Sequence, residues 1–305
     1  MRTVFFGTPA WAVPSLSALV ESPVDVAAVV TNPDKPAGRG MALRPSPVKE
    51  EALRAGLEVL QPRRAREPEL EERLRAIAPD VAVVVAYGSI LPGSLLAVPP
   101  LGFVNLHFSL LPAYRGAAPV QRAVMDGVTV SGVSIMVLTE GMDEGPVLAT
   151  LEVPVESGDT AGTLGERMAA LGAPLLVDTI ERYAAGELQP REQDHERATY
   201  APKITTEEAR VDWTKPAEQI RNLVRGLDPA PGAWTELDGK RLKVWEVRPA
   251  DAALEPGAMA GAGGLVAGTG TGALELVDVQ LAGKRRMPGA ELARGLRLGP
   301  GARLG

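Results

Sequence analysis

The sequence predicts a doubly wound, mainly parallel α/β sheet followed by a smaller β-barrel domain. Three observations carry this. Over the first two-thirds of the chain, short runs that are apolar nearly throughout alternate with amphipathic stretches. Strands buried on both faces read that way, and parallel neighbours need helical crossovers between them. After Trp213 the pattern changes to short strand-like runs broken by turn residues, which fits a small barrel or sandwich, with an OB-type barrel one candidate. Finally, 305 residues with 45% hydrophobic content suffice for two domains.

Taken in order, Thr3–Phe6 is a β-branched and aromatic run that ends in Gly7-Thr8-Pro9 and reads as a buried strand followed by a turn. Val24–Val30 is a second such strand. Asp80–Ala86 is the most apolar run and the expected central strand. Phe103–Leu106 and Ser134–Leu138 follow. Helical stretches fall between them at Pro47–Ala55, Pro68–Ala76 and Ala118–Met125. Thr160–Ala185 is the longest helical pattern. It places Leu164, Met168, Leu171, Leu175 and Ile180 on one face, and Gly186 suits the C-cap. The expected first domain is 1–186. Residues 187–205 are polar and proline-containing and read as a linker, and 206–305 form the second domain. Within it, Ala217–Gly226 is a short helix. Trp234–Leu237 and Leu242–Val247 flank Asp238-Gly239, a type I′ hairpin signal. Leu265–Ala267 and Ala273–Val279 complete the strands.

Composition narrows the function. Cysteine is absent, so no disulfide framework or thiolate metal site exists, and a reducing, cytoplasmic setting is expected. No stretch of about 18 apolar residues occurs, so no membrane helix is expected. Pro9 and Pro14 interrupt the apolar N-terminal run, and no small-residue cleavage motif closes it, which argues against a secretory leader. The net charge of −6 argues against a nucleic-acid partner, but its distribution does not. Residues 206–305 hold 14 Lys and Arg against 13 Asp and Glu, so the acidic excess falls in the preceding part. G-x-S-x-G, G-x-G-x-x-G and G-x-x-x-x-G-K-[ST] are all missing. With no Cys and two His, no metal site is expected.

Of those two histidines, His195 lies in the polar linker and reads as a solvated surface residue. His107 stands two residues after Asn105 at a strand end, so both side chains face one side of an extended chain. Spacing fits either a strand-end histidine bonded to backbone or an amide and imidazole facing one pocket. Asp143, in the glycine-flanked loop Glu140–Gly145, is the candidate carboxylate partner, with Glu144 a rival. Asn32–Lys49 is a long proline- and glycine-rich loop bearing Lys35, Arg39, Arg44 and Lys49 against Asp34. Together with Lys240–Lys243 and Lys284–Arg286 it could meet phosphates.

These residues also resemble a known family. Asn105-Leu-His107, Ser109-Leu-Leu-Pro-Ala-Tyr-Arg-Gly-Ala-Ala-Pro119 and Gly141-Met-Asp143 resemble the signature of 10-formyltetrahydrofolate-dependent formyltransferases. Phe6–Pro9, Pro33–Gly40 with Pro45–Lys49, Tyr200–Ile204 with Glu208–Trp213, and Ala282–Lys284 resemble the branch acting on methionyl-tRNA. The likeness covers nearly the whole chain. It implies a Rossmann-like first domain and an OB-like second domain, and a monomer is expected. It implies Asn105, His107 and Asp143 as the catalytic trio, and Ser109, Leu110, Leu111 and Pro112 as the folate-binding stretch. Lys35, Arg39 and Arg44 fall where the family's tRNA-binding loop lies, although Met41, Ala42 and Leu43 make this loop less basic than in many relatives. The implied donor is 10-formyltetrahydrofolate, the implied acceptor is methionyl-tRNA, and no metal is required.

Overall fold

The computed structural model describes residues 1–37, 42–261, 264–295 and 302–305. It divides into two compact units. The first comprises 1–119, 130–154 and 165–202; the second comprises 120–129, 155–164 and 203–305.

The first unit is built on a seven-stranded sheet. Its strands are β1 (Arg2–Gly7), β2 (Asp25–Val30), β5 (Val59–Leu60), β6 (Val81–Val85), β7 (Phe103–His107), β8 (Val130–Val137) and β9 (Val147–Pro154). Their order is β5-β2-β1-β6-β7-β8-β9. The first five run parallel, whereas β8 and β9 pair antiparallel at one edge. Strand β9 had no counterpart in the sequence reading. Its side chains are mostly half-buried or exposed, so no apolar run marks it. The hydrophobic pattern explains the layering. In β1, Val4 and Phe6 meet Ala28, Val30, Ala82, Val84 and Phe103 in one core cluster under helix α3 (Pro68–Ile77) and the short α4 (Gly93–Leu96). Phe6 packs edge-on against Tyr87 at 5.4 Å and tilted against Phe103 at 5.2 Å. Each fully buried apolar side chain of this kind stabilises the fold by about 1.5–3 kcal/mol.

Helices α1 (Val13–Glu21) and α2 (Pro47–Arg54) pack against each other. The start of α2 is fixed locally. Ser46 caps it by accepting the Lys49 N–H at 3.1 Å, and Pro47 occupies the first turn, where no N–H is needed. The Asn32–Lys49 loop is more regular than its composition suggests, because β3 (Lys35–Ala37) and β4 (Ala42–Arg44) pair antiparallel within it.

Helix α6 (Ala161–Ala184) follows the expected pattern with one correction. Leu164, Met168 and Ile180 are fully buried, but Leu171 is 44% exposed and Leu175 only half-buried. The buried row runs instead through Gly172, Ala173 and Leu176, because it follows i, i+4 steps from Leu164 through Met168 to Ile180 rather than the mixed three- and four-residue steps first assigned. At Gly172 the helix lies close to the sheet, since a Cβ there would sit 2.8 Å from the Leu106 side chain. Helix α6 thus covers the face opposite α3 and α4, as a doubly wound sheet requires. Residues 187–202 fall within the first unit. Arg191 bridges Val147 and Tyr200 bridges Arg115, so this stretch is laced onto the first unit.

Helix α5 (Pro119–Met125) precedes β8. The second unit carries an antiparallel half-barrel sheet. Its strands are β10 (Ala233–Leu237), β11 (Lys240–Ala250), β12 (Met259–Ala260), β13 (Val266–Gly268), β14 (Ala273–Leu281) and β15 (Met287–Pro288), with β15 paired to β14. The β10–β11 hairpin turns at Asp238 and Gly239 with φ of +50° and +70°, the left-handed pair that a type I′ turn needs. The core gathers Trp213, Leu242, Val244, Leu274 and Leu276 beneath α7 (Ala217–Gly226), whose Ile220 and Val224 point inward. Trp213 donates its indole N–H to Thr235 Oγ1 at 3.0 Å, which satisfies its buried polar atom. Helix α8 (Gly289–Gly295) follows β15.

Candidate active site

Strand β7 sets the site. Phe103 lies in the core on the α3 side, and Asn105 and His107 follow it at two-residue spacing on the same face. Both are buried at the carboxyl end of the strand. In open α/β sheets, ligands gather at that end. The Asn105 side chain has no hydrogen-bond partner among the described residues. Its amide is therefore available to a bound molecule.

His107 is oriented at both nitrogens. Nε2 lies 3.0 Å from the Tyr114 carbonyl, which can only accept, so Nε2 carries a proton in this arrangement. Nδ1 lies 3.6 Å from Asp143 Oδ2. Of the two candidate carboxylates, it is Asp143 that lies beside His107. Asp143 turns toward His107 and is held by the Gly116 N–H, which donates to Oδ2 at 2.8 Å. Glu144 is exposed. Asp143 adopts φ +50°, a left-handed conformation that Asp tolerates better than most residues. This turn swings its carboxylate back toward β7.

The Ser109–Pro112 stretch is braced from within. Ser109 is fully buried and donates to the Ala113 carbonyl at 2.6 Å. Ser134, on the neighbouring strand, donates to the Ser109 carbonyl at 2.7 Å and accepts the Leu111 N–H at 3.0 Å. The Ser109 hydroxyl proton is thus used within the turn.

Further out, Lys35 and Arg44 are exposed and stand opposite each other on β3 and β4. Like charges in that relation repel. Lys49 is tied down: its Nζ donates to Asp34 and Gln61, each at 2.7 Å. The Lys49 bond, with one that Gln61 Nε2 donates to Asp34 at 2.7 Å, holds the Asp34 carboxyl below its usual range. Arg39 lies outside the described residues. On the second unit, Arg241 stacks on Trp234 at 4.1 Å, and Lys243 and Arg286 flank Trp245 at 5.0 and 5.1 Å. Arg286 is neutralised by Asp278 and Asp228, so this basic cluster offers less free charge than its sequence implies. His195 is exposed, as read from sequence. Gln193 was missed. It is 7% exposed and ties the Asp143 loop to Arg115. No pattern in a polar stretch signals such a residue.

A buried amide and imidazole at a strand end, with a carboxylate behind the imidazole, form a site for polar group transfer without metal ligands. Among the described residues no cluster could hold a metal ion. Residues 1–180 match the formyl transferase family model and 203–297 match that of the formyl transferase C-terminal domain. The chain belongs to the formyl transferase family. The methionyl-tRNA formyltransferase of Streptomyces coelicolor is 51% identical over 309 residues, covering 100% of both chains. That of Thermobifida fusca is 50% identical over 308 residues, covering 100% of this chain and 99% of its own. Among solved structures, HypX from Aquifex aeolicus matches with TM-score 0.69 at 18% identity, over 97% of this chain and 47% of its own. This chain therefore spans about half of HypX. An N-formyltransferase from Helicobacter canadensis, in complex with folinic acid and dTDP-3-aminofucose, matches with TM-score 0.68 at 16% identity, over 93% of this chain and 100% of its own. These two likenesses concern the fold alone.

Proposed function

We infer that this protein transfers the formyl group of 10-formyltetrahydrofolate to the α-amino group of methionyl-tRNA, giving N-formylmethionyl-tRNA for translation initiation. The observation that carries this is full-length identity of about half to methionyl-tRNA formyltransferases. The Asn105–His107–Asp143 geometry supplies a chemical means. The amine lone pair forms the new C–N bond while the carbonyl π pair moves onto oxygen. Asn105 donates to that oxyanion. His107 joins it by exchanging the Tyr114 carbonyl for the oxyanion as acceptor of its Nε2–H. A donor of this kind is worth ~2.7–4 kcal/mol of barrier. Asp143 orients His107 and takes up the ammonium proton through water. The intermediate then collapses, the C–N bond to the folate breaks, and the folate nitrogen regains a proton. Leu110, Leu111 and Pro112 line the folate position.

The acceptor is gripped by phosphate contacts. The opposed Lys35 and Arg44 find in a phosphate the anion their pairing calls for. Arg39 belongs to the same loop. The same reading assigns transfer chemistry to residues 1–186 and tRNA binding to the 32–49 loop and residues 206–305, in a cytoplasmic monomer. The test is to supply 10-formyltetrahydrofolate with methionyl-tRNA, an amino sugar nucleotide or a purine-precursor amine and measure formyl transfer. Transfer to methionyl-tRNA alone is expected. Preference for a small amine would overturn the acceptor assignment.

A further inference from the structure

We propose that Gln193 is a positioning residue that sets Asp143 against His107, with Arg115 as its anchor; this rests on the function inferred above. All four lie within the first unit. The Gln193 carboxamide is saturated. Its two N–H bonds go to the carbonyls of Asp143 at 2.9 Å and Gly145 at 2.6 Å. Its oxygen accepts from Arg115 Nε at 3.1 Å and Nη2 at 2.8 Å. Only one orientation of the amide satisfies this set, because a guanidinium only donates and carbonyls only accept. The loop carrying Asp143 is therefore held twice. Gln193 holds its main chain, and Gly116 holds its carboxylate at 2.8 Å.

The anchor is unusual in its chemistry. Arg115 is 2% exposed, and its other side-chain contact is His195 Nδ1 at 3.3 Å. Among the described residues no carboxylate lies within ion-pair range of it. A buried guanidinium satisfied by a neutral amide adds no carboxylate beside Asp143, so the Asp143 charge stays directed at His107. Arg115 is itself fixed through its backbone. Its N–H donates to Thr199 at 2.9 Å, and its carbonyl accepts from Ala201 at 2.7 Å. The polar segment 193–201 thus laces together the two loops that meet at the imidazole.

Gln193→Glu separates positioning from folding. It is nearly isosteric and gives Arg115 a carboxylate, but it faces the Asp143 and Gly145 carbonyls with oxygens in place of donors. We expect a melting temperature equal to or above that of the wild type. We expect kcat for methionyl-tRNA formylation to fall ~10²-fold, as for a misplacement of about 1 Å, with KM for both substrates unchanged. On an Asp143→Asn background the same change costs nothing further. Wild-type kcat in Gln193→Glu, or losses that multiply with Asp143→Asn, overturns the proposal. Should Gln193→Glu fail to fold, the Arg115→Met/Gln193→Met pair removes donor and acceptor together; it must fold and lose kcat alike, and wild-type kcat there overturns the proposal. Should the wild type show no formyl transfer, the functional inference fails by itself. Hydrogen exchange then reads the clamp: amides 141–146 must exchange faster in Gln193→Glu, and equal rates overturn it.

Discussion

Asp143 Oδ2 lies 3.6 Å from His107 Nδ1, while the same oxygen accepts a 2.8 Å bond from the Gly116 N–H. The carboxylate is thus held by backbone and aimed at the imidazole without yet bonding it. Asp143→Asn keeps the Gly116 bond and tolerates the left-handed backbone, but removes the charge. We predict a loss of ~10²–10⁴-fold in single-turnover formyl transfer, the range of an acid–base contribution, with folate binding unchanged. Parallel loss of folate affinity would show instead that Asp143 builds the donor site.

Lys35 and Arg44 face each other with no carboxylate between them among the described residues. Lys35→Ala and Arg44→Ala should each raise KM for methionyl-tRNA and lower the salt dependence of binding by about one unit of slope, as the loss of one phosphate contact requires. KM for the folate should not move. Equal effects on both substrates would remove the hairpin from the tRNA-binding surface.

Gly172 brings α6 against β7, where a Cβ would sit 2.8 Å from Leu106 Cδ1 and 3.5 Å from Val133. Gly172→Val should cost about 1–3 kcal/mol by overpacking, read as a lower urea midpoint at unchanged slope. Because Leu106 lies between Asn105 and His107, activity should fall along with stability. Full stability would mean that the helix stands farther from the sheet.

Tyr87 is 2% exposed, and burial pushes its phenol up from 10.0 to about 12. The folded state therefore holds this proton more tightly than the unfolded chain. Its contribution is fully present below pH 10 and is lost as pH rises through 12. Tyr87→Phe should match the wild type within about 1 kcal/mol at pH 7, since no hydrogen bond from the hydroxyl is seen among the described residues. The variant should lack the added loss of about 1.4 kcal/mol that this proton carries between pH 7 and pH 11. Denaturant titrations at pH 7 and pH 11 check this, and parallel pH profiles would contradict it.

The parts of the fold legible in the sequence are those where burial leaves a period. Strands β1, β2, β6 and β7 are buried almost throughout, so their apolar runs mark them. The two-residue period of β7 put Asn105 and His107 on one face before any coordinates. Period alone is less secure over 24 residues, and Leu171 shows it by facing solvent. Edge strand β9 was silent because neither of its faces is consistently buried. Asp143 and Glu144 are neighbours in one turn, and sequence spacing does not show that Asp143 faces His107 while Glu144 is exposed. Gln193 was illegible for a deeper reason. Its partners are backbone carbonyls and an arginine far away in the chain, none of which leaves a pattern in the local sequence.

The central claim is that Asn105 and His107 together receive the oxyanion of formyl transfer. The most direct test is single-turnover transfer from 10-formyltetrahydrofolate to methionyl-tRNA in Asn105→Ala and in His107→Ala, with folate binding measured on the same samples. Each variant is expected to bind folate normally and to transfer ~10²–10³-fold more slowly, as the loss of one oxyanion donor requires. Near-normal transfer by His107→Ala would contradict it.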